Sequence, residues 1–320
     1  EYIIRGDVMH EDLVRTINGF IATKPAVIDI IGYGSAVKTQ SNADPKDIKQ
    51  IDIIATVSDA KKWHHENIKT SRSDYNPVAK GLVKPLLHVG TDIEYLSNIP
   101  YDDKFFKIGV IERFDFLYDL HNWSNFYMAG RCQKPIMLVK KDNEIEKAIR
   151  RNRLNALRTA LILNYDKKIT EEELYKTICE LSYMGDIRMF FGMENPNKVR
   201  NIVTGEFGEF KKIYSEVNED LYTEEDGIIT PNTEKLLADV PDMPSKLIEY
   251  IVNNEINIED MRKEDLEKLR TFIIKYLRQI NLRSSIAQPV KSVAINNFRS
   301  SYTYAKAKRK KYTSNKGKSA

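Results

Sequence analysis

The chain has 320 residues, 42% hydrophobic and 30% charged, which excludes a disordered or fibrous polypeptide and allows a sizeable core in one or two domains. Its two cysteines, Cys132 and Cys179, exclude a disulfide framework and point to a reducing compartment, and no run nears the roughly 18 apolar residues of a membrane span. The net charge of +4 hides an asymmetry: 13 of the 50 lysines and arginines fall in 270–320, which has no Asp or Glu, so the remaining 37 stand against 46 acidic residues, a balance of −9.

In chain order, the N-terminal residues carry neither a secretory hydrophobic region nor an Arg/Ser-rich, acid-poor transit peptide. The run 26–31 predicts a buried strand ended by Gly32-Tyr-Gly-Ser35, and Gln50–Val57 predicts a second. Helical patterns follow near 59–71 and 113–127, with strands at 104–111, after a turn at 101–103, and at 135–140. Residues 144–163 read as a helix. Thr170-Glu-Glu-Glu173 has capping-box spacing and opens another to about Tyr183. A further helix is expected at 207–217, and 226–244, with three prolines, reads as a loop or linker. Leu269, Phe272, Ile273, Tyr276, Leu277 and Ile280 share a helical face, giving an amphipathic basic helix before Arg283. A weaker helix is expected after Pro289, and Lys306–Lys311 packs five cations into six residues. The expected class is α+β, divided as a sheet domain over 1–141, a helical domain over 142–225, linker and amphipathic helices over 226–282, and a basic tail over 283–320. An acidic body with a basic tail selects an anionic partner, lipid headgroups or nucleic acid; the bland alternative is a solubilising tail.

The chemistry centres on Gly32-Tyr-Gly-Ser35. Directly after a strand, glycine allows close backbone approach, and Ser35 at a helix start offers N–H groups and a hydroxyl to an anion. On the next strand Gln50 and Asp52 share a face. A carboxylate beside a Gly-Ser phosphate cradle is the minimal layout of the nucleotidyltransferase superfamily, in which the carboxylate holds Mg2+ on a triphosphate. The usual layout has two carboxylates two residues apart. Gln50 stands at the first position, leaving Asp29, Asp92, Glu94 or Asp186 to complete the site. His64 and Asn67, one helical turn apart, are candidates for holding base, ribose or phosphate. Lys107, within an apolar strand, and Arg131 and Lys134, after Ala129-Gly130, are candidates for phosphate neutralisation. In Ser182-Tyr-Met-Gly-Asp-Ile-Arg188, polar groups crowd the end of a helix and Gly185 suits a C-cap.

Together these segments resemble the mitochondrial translocator assembly and maintenance protein family, the peripheral type of CDP-diacylglycerol synthase, or phosphatidate cytidylyltransferase. The resemblance rests on Tyr33-Gly-Ser35 with Gln40; Asp52; Trp63-His64 with Asn67; Lys107-Ile-Gly-Val110; Asp119-Leu120 with Trp123; Tyr127 with Ala129-Gly-Arg131 and Lys134-Pro135; Ser182–Asp186 with Arg188; Asn201-Ile-Val203; and Arg283-Ser-Ser285 with Gln288 and Lys291. It implies a nucleotidyltransferase sheet domain, a smaller winged-helix-like domain and a basic membrane-binding tail. It also implies conversion of CTP and phosphatidic acid to CDP-diacylglycerol and pyrophosphate with Mg2+, or Mn2+ in its place, for cardiolipin and phosphatidylglycerol synthesis. The implied setting is peripheral, on the matrix face of the mitochondrial inner membrane, or on the cytoplasmic face of the plasma membrane in a bacterial relative. On this reading Asp52 holds the metal, Ser35 and Lys107 act on the phosphates, and Gly34, His64, Asn67, Arg131, Lys134, Tyr183, Asp186 and Arg188 line the nucleotide. The 92–103 region departs from the family's pattern, and Asp74-Tyr75 keeps only the tyrosine of a His-Tyr pair. The rival readings are a nucleotidyltransferase acting on RNA or tRNA, which an acidic body disfavours, and a non-catalytic assembly factor, which Gln50 favours.

Overall fold

Leu13, Ile17, Phe20 and Ile21 recur at helical spacing, and the first element is a helix, α1 (Gly6–Ala22), unanticipated from the sequence. The structure, a computed structural model, describes residues 6–34, 50–75, 91–190 and 195–295. The fold is α+β, and the chain forms two units: Glu1–Phe116 with Ile136–Asp142 and Ala287–Ala320, and Leu117–Pro135 with Asn143–Ile286.

The first unit is built on a five-stranded mixed sheet. Its strands are β1 (Ile30–Tyr33) and β2 (Gln50–Val57), followed by the helix α2 (Ala60–Thr70), then β3 (Ile93–Tyr101) and β4 (Lys104–Glu112). β5 (Met137–Lys140) completes the sheet after the helix α3 (Arg113–Asn122) and the short helix α4 (Ala129–Cys132), the stretch Leu117–Pro135 belonging to the second unit, and the strand order is β3-β4-β2-β1-β5. β1 starts later than the expected 26–31. β2 and β4 are parallel, and the other pairs are antiparallel. Cross-strand partners share a face, so the register sorts the side chains. Ile51, Ile53, Ala55, Ile108, Val110 and Leu96 meet Ile17 and Phe20 of α1 and Trp63 of α2 in a closed core. Phe20 stacks on Phe106, ring centroids 4.0 Å apart. The opposite face carries Gln50, Asp52, Phe105 and Lys107, none fully buried.

β3 escaped the sequence reading because Ser97-Asn98 interrupts it. The pairing shifts between Leu96 and Ile99, and Asn98 takes a left-handed φ of 57°. Pro100 is tolerated because β3 is an edge strand.

The second unit is mainly helical. It contains α5 (Asn143–Leu163), β6 (Ile169–Thr170), α6 (Glu171–Glu180), α7 (Ile187–Phe190), α8 (Lys198–Gly205) and α9 (Phe207–Ser215). The expected capping box forms: Thr170 Oγ1 accepts the Glu173 N–H and Glu173 accepts the Thr170 N–H. β7 (Tyr222–Glu225) and β8 (Ile228–Pro231) form a hairpin that joins β6 in a three-stranded sheet. They precede α10 (Thr233–Ala238), α11 (Ser245–Val252) and α12 (Leu266–Ile295).

The stretch 226–244 is therefore not a linker, and Ile229, Leu247 and Ile280 share one core with Leu157 and Ile178. The expected helix break near Pro289 is also absent: α12 runs through Pro289, which is solvent-exposed. Lys291, read as part of a lipid-facing tail, is 1% exposed. Residues 296–320, including the 306–311 run, lie outside the described residues. Both cysteines are free and buried, and burial pushes the Cys132 thiol up to about 12.

Candidate active site

Three strands place one row of residues side by side. Tyr33 of β1 is opposite Asp52 of β2, which is opposite Lys107 of β4. Gly34 follows Tyr33 with a φ of +81°, a conformation costly for any other residue, and a Cβ there would lie 3.4 Å from Asp52 Oδ2. The glycine thus brings bare backbone to the carboxylate. Gln50 donates its side-chain amide to Asp52 Oδ1 at 2.7 Å, so the residue at the expected first-carboxylate position pins the second one. Ser35 and Gln40 lie outside the described residues.

The four residues read as completing the metal site are dispersed. Asp29 lies four residues before Tyr33, about 13 Å along an extended strand. It is buried there, accepting from Thr56 Oγ1 at 2.6 Å and Arg113 Nε at 3.0 Å. Asp92 precedes Ile93, whose partner Ile111 is four residues beyond Lys107 on β4. Glu94 pairs with Val110 on the core face, behind the sheet from Asp52. Asp186 belongs to the second unit. No group of three metal-ligating side chains exists among the described residues. Mg2+ commonly takes one or two carboxylates and completes its shell with substrate phosphates and water. Asp52 beside a bare glycine backbone fits that sparse pattern.

His64 and Asn67 do not join this row. Both are buried on α2, which packs on the core face. Tyr75 Oη accepts from Asn67 Nδ2 at 3.1 Å and lies 2.9 Å from His64 Nδ1. Close by, Lys291 Nζ is 2.6 Å from Glu94 Oε1 and donates to Thr91 O at 2.5 Å, and Gln288 donates to Ile93 O at 3.2 Å. Burial raises the Glu94 carboxyl and the Lys291 charge opposes that rise. His64 is pulled down to about 3, first by burial and then by Lys291.

The unfolded chain binds a proton at this imidazole below about pH 6.5, and the folded chain does not until near pH 3. Stability should therefore fall across that window by about 1.4 kcal/mol per pH unit. Urea unfolding at pH 7 and pH 5 is expected to show wild type losing about 2 kcal/mol more than His64→Gln; equal losses would contradict the assignment.

In the second unit, the other predicted cations gather. Arg131 Nη1 donates to Tyr127 O at 2.8 Å, and its guanidinium lies 3.8 Å from the Tyr127 ring. Lys134 Nζ donates to Gly130 O and to Ser182 Oγ, both at 2.6 Å, and sits 5.2 Å from the Tyr183 ring centroid. Arg188 grips Asp186 through two nitrogens, Nε at 3.0 Å from Oδ1 and Nη2 at 2.5 Å from Oδ2. Against the upward push of burial, that fork holds the Asp186 carboxyl below its usual range.

Two glycines close this cluster. A Cβ at Gly130 would lie 2.6 Å from Ser182 Cβ, and one at Gly185, whose φ is +78°, would lie 2.5 Å from Arg278 O. Lys198, which the sequence reading missed, lies 5.5 Å from the Tyr183 ring centroid; as an isolated lysine opening a helix it carries no sequence signal. The result is a cluster of four cations: Arg188 and Lys198 act on the Asp186 carboxylate, Arg131 neighbours Arg188, and Lys134 sits over the Tyr183 ring. Such a site attracts phosphate.

A sequence model of the family described as mitochondrial phosphatidate cytidylyltransferase matches residues 17–311. Relatives bearing that name include a Schizosaccharomyces pombe protein, 39% identical over 64% of this chain and 52% of its own length. A Xenopus laevis protein is 33% identical over 58% of this chain and 56% of its own. A Saccharomyces cerevisiae protein is 32% identical over 71% of this chain and 62% of its own. The chain thus spans between half and two thirds of the length of these three relatives.

Proposed function

The chain belongs to the mitochondrial phosphatidate cytidylyltransferase family, and from that premise we propose that it makes CDP-diacylglycerol and pyrophosphate from CTP and phosphatidic acid. The observation that carries this reading is the row Tyr33, Asp52 and Lys107, with Gly34 turned onto Asp52. We read the first unit as the nucleotidyltransferase-type domain, supported by its mixed sheet, and the second as winged-helix-like, supported by its small sheet among helices.

Asp52 would hold Mg2+ or Mn2+, which when bound offsets charge on the triphosphate oxygens. The Gly34 backbone, with Ser35 after it, cradles the β- and γ-phosphates. Lys107 neutralises negative charge that builds on the α-phosphate and the leaving pyrophosphate. The nucleophile is the phosphate oxygen of phosphatidic acid: a bond forms from it to the α-phosphorus as the bond to pyrophosphate breaks. A phosphate monoester's second pKa is about 6, so it arrives largely ionised and needs no strong base. Positioning and charge neutralisation supply the rate. We assign Arg131, Lys134, Tyr183 and Arg188 to binding anionic substrate, with Asp186 orienting Arg188, and read His64 and Asn67, buried behind the sheet, as support rather than contact.

No helix among the described residues is long and apolar enough to cross a membrane. A mitochondrial setting accords with the names of the relatives, and a peripheral position on the matrix face of the inner membrane is the location we propose. Residues 296–320 carry eight cations and no acid, each worth about 1 kcal/mol near an anionic surface. Exposed Leu282 and Ile286 flank Arg283 on α12. Removing 296–320 is expected to cut flotation with phosphatidate-containing vesicles at least 100-fold while CTP affinity is unchanged; lost CTP affinity would refute this division of labour. A cut after Asn281 would be uninformative, because Ser284, Ser285 and Lys291 are buried.

The deciding assay is pyrophosphate release with each of the four nucleotides, with and without phosphatidate vesicles and Mg2+. Release that requires CTP, the lipid and the metal supports the reading. Release driven by RNA, or none at all, sinks it.

A further inference from the structure

We infer that Tyr95 is a positioning residue that holds the Lys107 ammonium for the reaction, a step that rests on the proposed activity. β3 aligns Tyr95 with Gly109 of β4, and Lys107 sits two residues along on the same face. Diagonal neighbours across a strand pair are within reach when one is aromatic and the other long.

The ring reaches because Gly109 has no side chain. A Cβ there would lie 2.5 Å from Tyr95 Cε1 and 2.6 Å from Ile93 Cδ1, so the ring lies across the β4 backbone. Its face then meets Lys107 Nζ, 4.3 Å from the centroid. Tyr95 is 5% exposed and Lys107 half-buried, so the contact is partly desolvated, where a cation–π pair is stronger than at an exposed site. An aromatic face holds an ammonium without itself carrying a neutralising charge. It also reduces the rotamer freedom that the lysine must otherwise lose when substrate arrives. On the other face of the sheet the same strand is fixed by Gln288 and Lys291, through Ile93, Thr91 and Glu94. The ring therefore stands on a braced support.

The test keeps the ring's shape and varies its electrons. Position 95 is replaced by phenylalanine and then by phenylalanines bearing one, two and three fluorines. Tyr95→Phe should stay within about twofold in kcat/KM for CTP, and added fluorine should lower it stepwise, to about tenfold in all. A purely structural role gives a flat series, and a flat series in an active enzyme overturns the inference.

A second readout needs no activity. In chains with 13C-labelled lysine, the Lys107 ε-methylene should show an upfield ring-current shift that Tyr95→Leu abolishes. An unshifted wild-type resonance overturns the inference even if cytidylyl transfer is absent, so its failure and the failure of the proposed activity are read separately.

Discussion

Asp52→Asn is expected to lower CTP- and phosphatidate-dependent pyrophosphate release by about 10²- to 10³-fold, the loss of some 3–4 kcal/mol of transition-state stabilisation, while leaving the fold intact. Asparagine has the same shape, and its oxygen can keep the 2.7 Å bond that Gln50 donates to Oδ1. Only the other atom changes, from the oxygen facing Gly34 to an NH2 that repels a cation. Asp52 is only partly buried, so its loss should change unfolding free energy by less than about 0.5 kcal/mol.

Gln50→Glu is the complementary change. It places two carboxylates two residues apart, as in the usual layout of the superfamily, and removes the donor that now quiets Asp52. Without a divalent ion the two charges repel, so the melting temperature should fall and should recover with added Mg2+. Full activity in Asp52→Asn would remove the metal assignment while leaving family membership untouched.

The shared face of Gln50 and Asp52, with the glycine turn before it, was legible in the sequence because each is local, whereas the alignment with Lys107 comes only from the β2–β4 pairing. A strand period puts Gln50 and Asp52 on one face, and glycine follows a strand where backbone must come close. His64 and Asn67 stand apart from the Asp52 row for an equally physical reason: helical spacing places them together but does not say which face of the sheet the helix covers. Lys291 looked like one cation of a membrane tail because its partner, Glu94, is remote in sequence, and only the docked end of α12 pairs them. Tyr95 was hidden by the irregularity at Asn98. The β7–β8 hairpin carried its signal openly. Asp226 and Gly227 have φ values of 51° and 76°, the paired left-handed turn that Asp-Gly favours, but three nearby prolines outweighed it.

Asp119→Ala should be the most damaging single change to stability, costing about 4 kcal/mol or more. Asp119 is 1% exposed on α3. Its Oδ1 accepts the N–H groups of Asn125 and Phe126 at 3.0 and 2.8 Å and the Ser124 hydroxyl at 3.2 Å. Its Oδ2 accepts the N–H groups of Met128 and Ala129 at 2.8 and 3.0 Å. Burial pushes this carboxyl's pKa up, and the four amides oppose the push.

Alanine would leave those donors buried and unpaired, at about 1–3 kcal/mol each before relaxation. It would also free a loop under strain: Trp123 and Phe126 hold φ values of 55° and 59°, which cost non-glycine residues about 1–3 kcal/mol apiece. Asp119→Asn keeps one acceptor oxygen but turns the other into a donor facing N–H groups, so it should lose about half as much. The loop leads into α4, which carries Arg131, so the functional loss should exceed the loss of folded protein. Binding of inorganic phosphate should weaken in Asp119→Asn even where urea titration shows the chain folded. A cost below about 1 kcal/mol for Asp119→Ala would mean that the loop keeps its shape without the carboxylate, and that the bonds from Tyr276 to Trp123 O and from Ser284 to Asn125 O suffice to hold it.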